Sequence, residues 1–256
     1  MAKGKILFRP IHHNYTVLEK ELMNINLYFD SKSFKERLTY DTLKRYDAVV
    51  IDEGHQSEFS SKGLIKYVMD GHGLLLNYDP FRRSHSISKD KGGLRKVGEV
   101  FGLLDLNQDF KLSEFWLLNP YPKTWPWGKN DEIEYLVEQH PITRNINKIY
   151  SSEDLCPLKI DENLAKVLVS VKGEFSYKRI DWKDLREDYI RKGKGVFPVF
   201  AVNKKWRVGV FSSKDIAPFN DESILRYDNL PFIKNLLQWL CGIEMPRITF
   251  PFMYQF

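Results

Sequence analysis

Cysteine is scarce: the 256-residue chain has two, Cys156 and Cys241, far apart and in no metal-binding spacing. That count excludes a disulfide-stapled secreted scaffold and a zinc ribbon. Long apolar runs are missing too. None approaches the roughly 20 residues that cross a bilayer, and the opening MAKGKILFRP carries no apolar core of a secretory signal. The expected compartment is the cytoplasm. Also absent is any loop of the form G-x-x-x-x-G-K-[ST], which would wrap nucleotide phosphates in backbone N–H groups. Charge of one sign is weak. With 39 Lys+Arg against 34 Asp+Glu, the net +5 permits an anionic partner without requiring one.

The missing phosphate loop decides how YDAVVIDEGHQS, residues 46–57, is read. It matches the DExH box of a helicase, a buried strand ending in an Asp-Glu pair beside ATP. Yet the chain leaves its first apolar run through Arg9-Pro10-Ile11-His12-His13-Asn14, with no glycine and no cradle. Asp52 and Glu53 are then acids at the point where a parallel strand leaves its sheet, an edge expected to be polar because the crevice there is wet.

What is present is a folded chain, 43% hydrophobic and 14% aromatic. Lys5–Arg9 predicts a buried strand, NYTVLEKELMNIN a helix with Val17, Leu18, Leu22 and Ile25 at helical spacing, and NLYFD a second strand. A short helix in TYDTLKRY precedes a strand over Ala48–Ile51. Ser60 or Ser61 caps a helix carrying Leu64, Ile65, Val68 and Met69, which Gly71 and Gly73 stop before the strand Leu74-Leu75-Leu76. Strands alternating with helices at this rhythm mean βαβ units on a parallel sheet. Asn14 is expected to cap the first helix, and Asp79-Pro80 to form a turn.

From about residue 105 to 195 the texture changes. Helical alternation fades after GGLRKVGEVFGLL, the Pro- and Trp-rich LLNPYPKTWPWGKND appears, and LAKVLVSVKG and EFSYKRIDW read as short extended pieces broken by glycine. DYIRKGKGVF reads as a basic solvated turn. Order returns in VFPVFAVNKK and WRVGVFSS, a hairpin over Asn203-Lys204-Lys205, and in LPFIKNLLQWLCG, a closing helix with Pro231 early and Gly242 at its end. The expectation is a single α/β domain over 1–256: a three-layer sandwich on a mainly parallel sheet, with an aromatic-rich inserted lobe at about 105–195.

The order RYDAVVIDEG, FSSKGLIKYVMDGHGLLLNYD, QHPITRNI, WRVGVFSSKDIAPFND and DNLPFIKNLLQWLCG resembles the non-catalytic branch of the class I glutamine amidotransferase-like domains. The group includes trehalose-utilisation-type domains and the amidotransferase-like domains of intraflagellar-transport and oligosaccharyltransferase subunits. The resemblance covers about residues 3–104 and 195–242 and implies a flavodoxin-like α/β sandwich. Catalytic members need a Cys on a sharp strand-to-helix elbow and a His with a carboxylate partner. Here Cys156 sits in DLCPLK before a proline, which suits an extended or turning segment, and Cys241 ends the last helix beside Leu240 as a small apolar filler.

In such a sheet the loops after the strands converge on one rim. The candidates for binding a small polar ligand there are Arg9, His12 and His13 after the first strand, and Asp52, Glu53 and His55 after the third. Asp79 and Arg82 follow the fourth strand, and Ser212 and Asp215 the last. Imidazoles and carboxylates together could hold a divalent ion, but no recognised ligand spacing supports one, and neither metal nor cofactor is expected. Trp116, Tyr121, Trp125 and Trp127 are candidate partner-binding residues, because indoles among prolines grip another protein or pack back as a lid. With Lys123 and Lys129 they could also stack on and pair with nucleic acid. The expected function is a non-enzymatic, amidotransferase-like scaffold that binds a partner protein or a small polar ligand within a larger assembly. A metal-assisted or hydrolase-like enzyme using the His/Asp/Glu rim is the alternative, and a nucleic-acid-binding protein the second.

Overall fold

Apolar strands do alternate with amphipathic helices through the first part of the chain. The computed structural model describes residues 4–9, 15–31, 38–52, 60–78, 93–105, 114–118, 134–149, 157–181, 186–212, 219, 221 and 223–243. In chain order the elements are β1 (Gly4–Arg9), α1 (Thr16–Met23), β2 (Leu27–Ser31), α2 (Tyr40–Leu43), β3 (Ala48–Asp52), α3 (Ser61–Met69), β4 (Gly73–Asn77) and α4 (Gly93–Val100). Then follow β5 (Leu103–Asp105), β6 (Glu114–Leu118), β7 (Glu134–Val137), β8 (Leu158–Ile160), β9 (Ala165–Asp181), β10 (Arg186–Asn203), β11 (Val208–Phe211) and α5 (Asn229–Leu240).

One sheet runs in the order β2-β1-β3-β4-β11-β10-β9-β6, with β7 also paired to β9. From β2 to β11 every pairing is parallel, and from β11 to β6 every pairing is antiparallel. Strands of one direction predominate, because β9, two antiparallel steps beyond β11, runs the same way as the parallel set. β5 and β8 form a separate antiparallel pair.

Helices cover both faces. Alternation along β1 sends Ile6 and Phe8 to one side, where they pack with Leu18 and Leu22 of α1 and with Phe232, Ile233, Leu236, Leu237 and Leu240 of α5. Leu7 goes to the other side with Leu43 of α2, Leu64 and Val68 of α3, and Leu94 and Val97 of α4. The central strands β3 and β4 are buried on both faces, hence their unbroken runs AVVI and LLL.

Several local expectations are met. Ser60 Oγ accepts from Gly63 N at 3.3 Å as the cap of α3, and the β10–β11 hairpin forms where the turn residues stand. There Asn203 Oδ1 accepts from Lys205 N at 2.9 Å and Trp206 N at 2.7 Å, while its Nδ2 donates to Phe101 O and Leu164 O. Other expectations change. Gly73 does not stop a helix; it opens β4, and a Cβ there would collide with Leu240 O, so the end of α5 touches bare backbone. The two glycine-broken pieces after residue 164 are one 17-residue strand, β9, in which Gly173 sits opposite Gly195. The basic segment read as a turn is ladder in β10. Most described strands of the 105–195 region thus continue the main sheet.

Candidate functional site

Parallel pairing puts strand ends of one kind on one edge. Arg9 pairs with Ile51, Asp52 with Asn77, and Phe211 with Asn77. Arg9, Asp52, Asn77 and Ser212 therefore stand at the carboxyl ends of four adjacent strands, β1, β3, β4 and β11. Of the other rim candidates, His12, His13, Glu53, His55, Asp79, Arg82 and Asp215 lie outside the described residues. Among the described residues no group of three His, Cys, Asp or Glu side chains gathers to hold a metal ion. Ser212 is fully buried, and its hydroxyl donates to Tyr78 O at 3.5 Å. Tyr78 N donates to Phe211 O at 3.0 Å, and the Tyr78 hydroxyl to Leu103 O at 2.9 Å. Ser212 ties two strand ends together; it is not held out toward a ligand.

The same edge carries the N-termini of α1 and α5. α1 follows β1 directly, and α5 runs back so that Leu240 and Cys241 meet Gly73 and Gly4 at the amino ends of β4 and β1. The first amides of α1 would attract an anion, but the chain supplies its own. Asp221 accepts from Thr16 N at 3.1 Å and from Val17 N at 3.0 Å. The residue before the helix is Tyr15, which makes no side-chain cap, and Asn14 lies outside the described residues. Asp228 sits at the N-cap position of α5 but does not cap it. Its carboxylate instead accepts from Asn147 N at 2.8 Å and Lys148 N at 3.0 Å. Sequence reasoning passed over both aspartates. Their only local signal is the Asp/Asn-rich text FNDESILRYDN before an apolar helix.

Among the described residues, Cys241 and His140 are both desolvated by the packing around them. Cys241 ends α5 at the amino edge of the strands, the side away from the rim, and burial pushes its thiol up to about 12, with Asp47 adding to the effect. Cys156 lies outside the described residues. His140, in the His-Pro-Ile-Thr turn, is pushed down to about 4 by burial and by Lys166. Its Nδ1 accepts from Ile142 N at 3.2 Å, and its ring meets Trp239 of α5 edge-on at 5.8 Å. Asn235 of α5 donates to Ile142 O and Arg144 O, and Thr143 Oγ1 donates to Glu138 O. The turn is a bracket for α5. Of the aromatic candidates, Trp116 lies in β6, whose register sets it opposite Tyr177 of β9; Tyr121, Trp125 and Trp127 lie outside the described residues.

No family model matches this chain, and no curated protein matches it in sequence. Solved structures match over most of its length. The mmIFT52 N-terminal domain shares 15% identity at a TM-score of 0.55, covering 92% of this chain and 97% of that one. The cytoplasmic protein STM1381 from Salmonella typhimurium LT2 shares 17% at 0.57, covering 92% and 99%. The cytoplasmic protein STM3548 from Salmonella typhimurium shares 12% at 0.55, covering 92% and 98%. Identities this low show a common α/β fold. The match to an IFT52 domain is consistent with the amidotransferase-like resemblance. No helix among the described residues is long and apolar enough to cross a membrane.

Proposed function

We propose that this chain is a non-catalytic, amidotransferase-like binding module with the three-layer arrangement of that group, acting as one component of a protein assembly. The observation that carries this reading lies among the described residues of the strand-end edge, where the chain fills its own anion-attracting helix end. Asp221 occupies the α1 amides where a substrate's anion would sit, and Asp228 holds the neighbouring loop by two further amides. A helix end filled by the chain's own carboxylate is a preorganised surface for protein contact, with those amides no longer open to a substrate. The buried thiol of Cys241 and the bracketed imidazole of His140 support the same reading. The aromatic-proline segment with Trp116, Tyr121, Trp125 and Trp127 is proposed as one contact with the partner, since proline-stiffened indoles lose little freedom on binding.

The test pairs two measurements on the full chain. Affinity purification from its native cell should recover one protein in stoichiometric amount, and incubation with glutamine should release no ammonia. Ammonia release that Cys156→Ser or Cys241→Ser abolishes would refute the proposal, as would a chain that always purifies alone.

A further inference from the structure

The amino edge of the sheet, opposite the rim, gathers apolar surface where α5 ends. Arg207 bridges that end to the end of α3, through Leu240 O and Gly71 O. Met69, two residues before Gly71, is 51% exposed. Trp206, beside Arg207, lies half-buried against the core cluster under α3 and α4. Asn203 of the same hairpin donates to Phe101 O and Leu164 O, joining the end of α4 to the turn before β9. There Val100 is 45% and Leu164 43% exposed, and a Cβ on Gly102 would run into the Leu164 side chain. Met69, Trp206, Val100 and Leu164 thus line one stretch of edge, from the end of α5 to the start of β9. Single exposed apolar residues are ordinary, but a row of them beside an indole is a surface to be covered.

The chain supplies a matching segment at the same point. Residues 244–256, which follow Ile243, read EMPRITFPFMYQF: seven large apolar side chains, four of them aromatic, against the charges of Glu244 and Arg247. Phe250, Phe252, Tyr254 and Phe256 recur at every second position, so in an extended backbone all four fall on one side. Pro246 and Pro251 bias the residues before them toward that extended form. Thirteen residues can span about 40 Å. From β4, where α5 ends, to β9 is three strand steps, about 14 Å.

We propose that this stretch of the amino edge is the seat of residues 244–256 of the same chain, laid across it as an extended strap with its aromatic side against Met69, Trp206, Val100 and Leu164. Attachment decides the occupant. A segment joined at Ile243 meets the edge at an effective concentration in the millimolar range, which a free partner must outcompete. A second copy fits less well, because a few half-exposed side chains fall short of the roughly 800 Å² per partner that a stable dimer buries. The inference stands apart from the binding-module reading: it gives this edge to the chain itself and leaves partner contacts to other surfaces.

The test uses the full chain with Phe252 replaced by p-benzoylphenylalanine, whose excited ketone inserts into nearby C–H bonds. Irradiation should give a product with the mass of one chain, linked to peptides that carry Met69, Val100, Leu164 or Trp206. A link between two chains would make a second copy the occupant and overturn the strap. A link to another protein, a link elsewhere in the chain, or no link at all would overturn it as well. Hydrogen exchange on the unlabelled full chain gives the second reading. Amides of residues 248–256 should exchange about tenfold or more faster in the double variant Met69→Ser, Leu164→Ser. Phe250→Ser with Phe252→Ser, which alters only the strap, should speed them equally and serves if the first pair proves unstable. Leu225→Ser, exposed in the segment before α5 at the opposite edge, is the control and should leave them unchanged. Unchanged exchange in the strap variant, or equal acceleration by the control, would refute the inference.

Discussion

His140 stays neutral across the physiological range because burial and Lys166 both oppose its imidazolium form. A histidine whose folded value lies near 4 takes up its proton in the unfolded chain first, near 6.5. Its share of stability is therefore complete above about pH 6.5 and is lost as pH falls toward 4. Because the ring is only half-buried, roughly 1 kcal/mol is expected between pH 7 and 5. The urea midpoint of the parent should fall from pH 7 to pH 5, and that of His140→Gln should fall less. An identical pH dependence in the two proteins would show that His140 does not carry it. The aspartates show the limit of reading single residues. Asp221 caps amides 205 and 204 positions away, and Asp228 reaches 81 and 80 positions back. Nothing beside either residue in the chain identifies its partner.

Elements meet at two kinds of junction here, and each has its own sensitivity. At the amino edge of the sheet, Arg207 donates from Nε to Leu240 O at 3.0 Å and from an Nη to Gly71 O, so one guanidinium serves the ends of α5 and α3. Gly73 lies in the same junction. Gly73→Ala would drive a methyl group into the Leu240 carbonyl, and backbone there yields less than a side chain would. A loss of about 3 kcal/mol is expected. Gly63→Ala, inside α3 with only an ordinary 3.5 Å contact to Ser60, is the control. It should be neutral or stabilise by up to about 1 kcal/mol. Chemical denaturation of both variants measures the contrast, and equal effects would contradict this account of the junction.

Across the whole molecule, β10 ends beside β11 in the buried sheet and pairs along its length with β9, which in turn pairs with β6 and β7. Val171 and Phe200, both buried, belong to the same cluster as Ile6 and Phe232. We propose on this ground that residues 1–256 unfold as one unit. Far-ultraviolet ellipticity and tryptophan fluorescence should then give coincident urea transitions. Four of the six tryptophans, Trp116, Trp125, Trp127 and Trp182, fall between residues 105 and 195, so fluorescence reports on that region. A separate fluorescence transition would make the region an autonomous lobe.

The sequence by itself determined the α/β class, the βαβ order of the first eighty residues, the β10–β11 hairpin and the closing helix. These follow from hydrophobic period and turn chemistry, which act over a few residues. It also placed Arg9, Asp52 and Ser212 at strand ends, since a strand's end is visible where its apolar run stops. The tertiary structure alone decided that most described strands of the 105–195 region extend the main sheet and that β9 runs unbroken through Gly173. Strand pairing over such separations depends on which edge is open, and local composition does not record that. It alone decided, too, that Asp221 fills the α1 amides and that Met69, Val100 and Leu164 stand exposed along one edge. A cap drawn from the far end of the chain, and an apolar edge drawn from three segments, exist only once the sheet has brought distant segments together.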